Sequence, residues 1–276
     1  MTNRLDVRFG ELKREGRAAF VAYVMAGDPD PETAFEITRA LPAAGADVIE
    51  LGFPFSDPMA EGPPIQRAAL RALKAGMTLK GTLDLVRRFR AEDGATPIVL
   101  MGYLNPVLSY GYAAFAHDAA EAGVDGLIIV DCPPEEADPL ADELDRNHIS
   151  LIRLATPTTD DKRLATVVRR TSGFVYYVSV AGVTGVREAD ASAVAPAVER
   201  VRKASGLPVA VGFGIKTPAR AAEVARVADA AVVGSVFVDK IAEALETNES
   251  PVAKVVETAA ALSQAVRSAR TEAVKG

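Results

Sequence analysis

Val48-Ile49-Glu50-Leu51-Gly52-Phe53-Pro54-Phe55-Ser56-Asp57-Pro58-Met59-Ala60-Glu61-Gly62-Pro63-Pro64-Ile65-Gln66 runs from an apolar segment into a loop broken by glycine and proline. Val48, Ile49 and Leu51 form the kind of run that fills a buried parallel strand. Glu50 interrupts that run, and a carboxylate there is costly unless it is paired, hydrogen-bonded or neutral. The loop beyond it carries Ser56, Asp57 and Glu61 and cannot be regular structure. One reading is an acid held at a strand's carboxyl end with a second acid on the loop beside it. The other is a strand-terminal Glu in an ion pair and a solvated surface loop.

Outward from that stretch, the same strand-then-helix unit recurs. A segment from about Arg4 to Glu15 sets Leu5, Phe9 and Leu12 at helical spacing and stops at Gly16, which suits a helix capping the bottom of a barrel. Apolar strands are expected at Ala19–Met25, Val48–Leu51, Pro97–Met101, Leu127–Val130, Ile149–Leu154, Phe174–Ser179, Pro208–Val211 and Ala230–Val233. Asp30-Pro31-Glu32-Thr33 opens a helix with a cap, an N-terminal proline and an acid near the positive dipole end. Eight such strands alternating with helices, without a linker or low-complexity break, predict an α/β fold: a single (β/α)₈ TIM barrel over residues 1–276. The long interval between the second and third strands has room for more than one helix, so the second βα loop is elaborated; the sixth is too. An open doubly wound sheet fits less well, because no nucleotide-type glycine fingerprint follows the first strand.

Composition narrows the function. A formal net charge of −6 disfavours nucleic acid or an anionic membrane as partner. A small phosphate remains open, since backbone amides bind it without a basic patch. One cysteine, Cys132, and two histidines, His117 and His148, give neither a disulfide framework nor metal-ligand spacing. Neither a signal peptide nor a membrane span is expected, and a cytoplasmic location is expected, since a single cysteine suits a reducing cytosol.

In a barrel of this type the chemistry lies at the carboxyl ends of the strands. Those positions hold Glu50, Tyr103, Asn105, Asp131, Tyr176, Thr184, Gly214, Gly234 and Ser235. Gly212-Phe213-Gly214 and Gly234-Ser235 follow the seventh and eighth strands, where bare amides and a helix start bind phosphate. Two ordinary tight turns would look the same at either site, and the coincidence of both favours phosphate. Ala181-Gly182-Val183-Thr184-Gly185-Val186-Arg187 reads as a glycine-punctuated lid or as a plain surface loop. His117, His148 and Cys132 read as structural or solvated groups.

Ile49 to Pro64, with Ala181-Gly182-Val183-Thr184-Gly185, Gly212-Phe213-Gly214-Ile215 and Gly234-Ser235, resembles the tryptophan synthase alpha subunit family from about Phe20 to Ile241. The resemblance implies cleavage of indole-3-glycerol phosphate to indole and glyceraldehyde 3-phosphate. It implies no cofactor in this chain, and a β subunit carrying pyridoxal phosphate as partner in an α2β2 heterotetramer, with Asp57, Pro58 and Asp131 near the contact surface. Carried over by motif, Glu50 is the general acid/base, Glu61 the second acid that accepts the indole N–H, and Tyr176 the support of Glu50. Thr184 holds the acidic loop shut, and Gly185, Gly214, Gly234 and Ser235 bind the phosphate. Phe20, Tyr23, Leu100 and Met101 are expected to wall the indole. Position 61 departs from the family's usual Asp by one methylene, and position 180 is Val where many relatives carry Arg. Two alternatives remain at this stage: another phosphosugar-binding isomerase or synthase, and a weakly catalytic subunit that mainly activates a partner.

Overall fold

The structure is a computed structural model, and it describes residues 3–179, 191–212 and 214–272. In chain order its elements begin α1 (Arg4–Glu15), β1 (Ala19–Met25), α2 (Pro31–Ala40), β2 (Val48–Gly52), α3 (Pro63–Lys74), α4 (Leu79–Glu92) and β3 (Ile98–Gly102). They continue through α5 (Leu104–Tyr110), α6 (Tyr112–Ala122), β4 (Gly126–Ile129), α7 (Asp138–Arg146), β5 (Ser150–Ala155), α8 (Asp161–Val168) and β6 (Val175–Val178). The last are α9 (Ala191–Ser205), β7 (Val209–Gly212), α10 (Pro218–Val227), β8 (Ala230–Val233), α11 (Ser235–Thr247) and α12 (Pro251–Glu272). All eight strands pair in parallel with their sequence neighbours and β1 pairs with β8, closing the expected barrel. Two helices, α3 and α4, occupy the long interval after β2, as the sequence spacing requires.

Two apolar layers result. The inner one holds Val21, Val48, Val99, Ile128, Ile152 and Tyr176, one side-chain row from each of six strands. The outer one lies between the strands and the helices and includes Phe20, Leu100, Phe115 and Phe237. Helix α1 plugs the amino-terminal mouth: Leu5, Phe9 and Leu12 are buried in the inner layer, and the Phe9 ring lies 5.6 Å from that of Phe174.

The same end is tied by three carboxylates that accept strand amides. Asp47 takes the N–H of Phe20, Asp125 that of Ile98, and Asp229 that of Val209. Each is paired with arginine: Arg8 and Arg17 on Asp47, Arg4 and Arg90 on Asp125, Arg202 on Asp229. The stabilising polar network therefore sits at one end of the barrel, which leaves the other for chemistry.

Candidate active site

The alternation of side chains along β2 decides the orientation of Glu50. Val48 belongs to the inner layer, so Glu50, two residues on, also faces into the barrel. It is 1% exposed, and its Oε2 has no hydrogen-bond partner. A buried carboxylate without a donor is unfavourable, so the neutral acid wins. Burial first, and the charge of Glu61 second, push its pKa up to about 8.

Glu61 sits immediately before α3, whose start is set by Gly62 and by Pro63 and Pro64 in the first turn. The Gln66 side chain donates to the Glu61 carbonyl at 2.8 Å, and the Ala60 N–H donates to the Tyr103 hydroxyl at 2.9 Å. The Glu61 side chain lines a small cavity with Tyr23, Phe53, Phe55, Ile65 and Tyr103. Burial there raises its pKa to about 7. The helix behind it is anchored to the loop after β1, where Arg71 grips the buried Asp28 through two hydrogen bonds of 2.6 and 2.9 Å. Desolvation still holds the Asp28 carboxyl above its usual value, with Arg71 opposing it.

Two phenols share the barrel mouth with these acids. Tyr23 faces Glu50 across the β1–β2 register, and Tyr176 feels the charges of both Glu50 and Glu61. Burial lifts both phenols well above their ordinary value, so they stay protonated. Each hydroxyl occupies the space above a glycine: a Cβ on Gly52 would collide with Tyr23, and one on Gly212 with Tyr176. No hydrogen bond joins Tyr176 to Glu50 among the described residues. The link between Tyr176 and Glu50 is electrostatic.

Of the expected indole wall, Tyr23 and Met101 line the cavity. Phe20 and Leu100 do not, and here the sequence expectation is corrected. Both point outward, because β1 turns Ala19 and Val21 inward and β3 turns Val99 inward. Phe20 meets Phe237 of α11 edge-on at 6.5 Å instead. The cavity is also lined by Phe53, Phe55, Ile65 and Tyr103, which the expected wall did not include. Tyr103 was legible as a strand-end position, and the aromatic pair in Phe53-Pro54-Phe55 was the other available signal.

Gly214 lies just past β7 with φ +77°, a conformation that favours glycine, and Gly234 forms the N-cap of α11 with Ser235 as the first helical residue. No side chain caps α11, so its first amides and positive dipole end are left for an anion. The Tyr23 ring lies directly beneath Gly234. Strand pairing of β7 with β8 brings the two turns side by side. Thr184 and Gly185 lie outside the described residues, as do Val180 and Phe213. Cys132 is buried, and burial raises its thiol despite nearby Arg153. His117 is exposed on α6, where it meets Glu121 at 3.6 Å.

Residues 9–267 match the family described as tryptophan synthase alpha chain. The chain is 74% identical over 267 residues to the tryptophan synthase alpha chain of Phenylobacterium zucineum, covering 97% of this chain and 96% of that one. It is 70% identical over 268 residues to the protein of the same name from Caulobacter vibrioides, with 97% and 98% covered. Its fold superposes on the crystal structure of tryptophan synthase subunit alpha from Legionella pneumophila with a TM-score of 0.91 at 41% identity, covering 96% of this chain and 99% of that one. A Mycobacterium tuberculosis tryptophan synthase structure matches with a TM-score of 0.87 at 36% identity, over 97% of this chain and 99% of that one.

Proposed function

The chain belongs to the tryptophan synthase alpha chain family, and we propose that Glu50 and Glu61 divide its chemistry between them. It is a carbon–carbon lyase of tryptophan biosynthesis, cleaving indole-3-glycerol phosphate to indole and glyceraldehyde 3-phosphate. The single observation that carries our reading is the unpaired carboxyl of Glu50, buried inside the barrel beside a second acid.

A neutral indole cannot accept the electrons of the breaking C–C bond. Protonation of its C3 makes it an acceptor, and Glu50, protonated to about pH 8, is the acid for that step. The positive charge then develops on the indole nitrogen, where the Glu61 carboxylate accepts the N–H and stabilises it. Deprotonated Glu50 next takes the proton of the glycerol hydroxyl on the carbon bonded to C3. The C–C bond breaks, its electron pair returns to the ring, and the aldehyde forms. Glu50 gives one proton and regains one, so the cycle closes. The reaction needs one acid neutral and its neighbour ionised, and burial raises both carboxyls toward neutral pH, where that division of roles is available.

Tyr176 supports Glu50 by excluding water above it, and Tyr23 and Met101 flank the ring. Gly214, Gly234 and Ser235 take the phosphate, with Thr184 and Gly185 contributing from the sixth βα loop. The continuous closed sheet supports one domain over the whole chain.

Family membership carries a β-subunit partner. Our proposal adds an α2β2 heterotetramer in the cytoplasm, with allosteric activation of this chain and pyridoxal phosphate held by the partner. Met59 and Leu108, 75% and 57% exposed on segments after β2 and β3, support docking at that barrel face. Among the described residues no helix is long and apolar enough to cross a membrane.

Indole release from indole-3-glycerol phosphate, with and without the β chain, tests the reading. Stimulation by β and loss in Glu61→Ala are expected. Equal turnover with and without β, or a fully active Glu61→Ala, contradicts it.

A further inference from the structure

The acidic loop has few ties to the rest of the barrel. Its own turn is closed by Met59 N–H on the Asp57 carbonyl and Glu61 N–H on the Pro58 carbonyl. Gln66, one turn into the helix that follows, holds the Glu61 carbonyl. Among the described residues, one side chain from a different βα unit donates to or accepts from residues 54–62, and it is Tyr103.

Tyr103 touches both arms of the loop. Its ring stacks on Phe55 with centroids 5.4 Å apart and planes 27° from parallel. Its hydroxyl oxygen accepts the N–H of Ala60, the residue before Glu61. The ring thus fixes where the loop leaves the barrel and the oxygen fixes where it returns.

Tyr103 is itself held rigidly, as a residue that places another must be. It is 3% exposed. The amide of Leu104, next in the chain, donates to Asp131 Oδ1 at 2.8 Å, and the Gly102 carbonyl before it accepts from Val130. The backbone on either side of Tyr103 is therefore tied to the βα unit of β4. A path of hydrogen bonds crosses three consecutive loops of the active face, from Asp131 through the start of α5 to the peptide that precedes Glu61.

We infer that Tyr103 is a positioning residue for the lyase reaction, clasping the acidic loop so that the Glu61 carboxyl meets the indole N–H. This rests on the reading of Glu61 as the second acid. The chemistry asks for such a clasp. Glu61 rides on an irregular segment, and misplacement of a reacting group by about 1 Å costs on the order of a hundred-fold in rate. The charge of Glu61 is felt at the Tyr103 phenol, which burial first and that charge second push up to about 12, so the phenol remains neutral while Glu61 ionises.

The test is a double-mutant cycle on the complex with its β chain, reading kcat and KM for indole release across pH. Tyr103→Phe keeps the ring on Phe55 and removes only the acceptor for Ala60. Its kcat should fall about ten-fold, the size of one buried hydrogen bond left unmade, while KM stays within about two-fold. A loosened loop admits water to Glu61, so the acid limb of the pH profile should move to lower pH. In the Glu61→Gln background, Tyr103→Phe should cost nothing more, because the group it places no longer acts. Native kinetics and pH profile for Tyr103→Phe overturn the inference. So does an equal loss in both backgrounds, which marks a purely structural role. If Glu61→Gln alone retains native activity, the assignment of Glu61 fails, and the inference falls with it. If Glu61→Gln is impaired and Tyr103→Phe is not, the positioning role alone fails.

Discussion

The charge of Glu61 acts on the buried carboxyl of Glu50, and it is the second cause, after burial, that raises the Glu50 pKa to about 8. The two acids are thus coupled rather than merely adjacent. Ionisation of Glu61 adds to the effect of burial in keeping the proton on Glu50.

A bell-shaped dependence of kcat/KM on pH is the expected consequence. Activity should rise as Glu61 loses its proton near pH 7 and fall as Glu50 loses its own near pH 8. Glu61→Gln removes the negative neighbour, which lowers the Glu50 pKa, so the alkaline limb of the residual activity should move to lower pH. A limb that stays in place, or moves upward, shows that the two carboxyls do not interact.

Stability should carry the same signature. Glu50 titrates near its ordinary 4.5 in the unfolded chain and near 8 in the folded one. Between those values the folded state binds more protons, so stability falls as pH rises through the window. Glu50→Gln cannot ionise and should lack this loss. Denaturant titrations at pH 5 and pH 8.5 should show a smaller decline for the variant than for the native chain. Parallel declines would mean that Glu50 is solvated in the folded protein.

Arg71→Leu should be strongly destabilising. It strands the buried Asp28 carboxylate, which is 1% exposed, and breaking one side of such a pair costs about 3–5 kcal/mol. Asp28→Asn leaves the guanidinium of a half-buried arginine nearer to water and should cost less. Urea midpoints of the two variants rank them, and the reverse order would place the burden on Arg71.

The phosphate assignment separates binding from folding. Ser235→Asp adds a negative charge at the first position of α11, where the helix dipole favours it by about 0.3–1 kcal/mol. The same charge repels a phosphate. The variant should melt no lower than the native chain while KM for the phosphorylated substrate rises by about ten-fold or more. An unchanged KM places the phosphate elsewhere.

The barrel was legible because its information is coarse. Eight apolar runs, their spacing and the stop at Gly16 specify strand count and a plugging helix, and β1 and β8 fall on their expected limits. Glu50 was legible because a charge stands out in a buried strand. Which way Phe20 and Leu100 point was not. Parallel strands buried on both faces are apolar throughout, so Ala19-Phe20-Val21 and Val99-Leu100-Met101 carry no alternation to read. Their facing is set by strand register around the closed sheet. The clasp of Tyr103 on the acidic loop was hidden for a related reason. It joins residues 43 apart in sequence, and no local pattern encodes that contact.

Single-turnover cleavage of indole-3-glycerol phosphate by Glu50→Gln, in complex with the β chain, bears most directly on the two-acid mechanism. The substituted amide retains the shape of the side chain and cannot donate or accept the catalytic proton. Indole formation should slow by about 10²–10⁴-fold with substrate affinity little changed. Turnover at the native rate would remove Glu50 from the chemistry and leave its buried, unpaired carboxyl without a function.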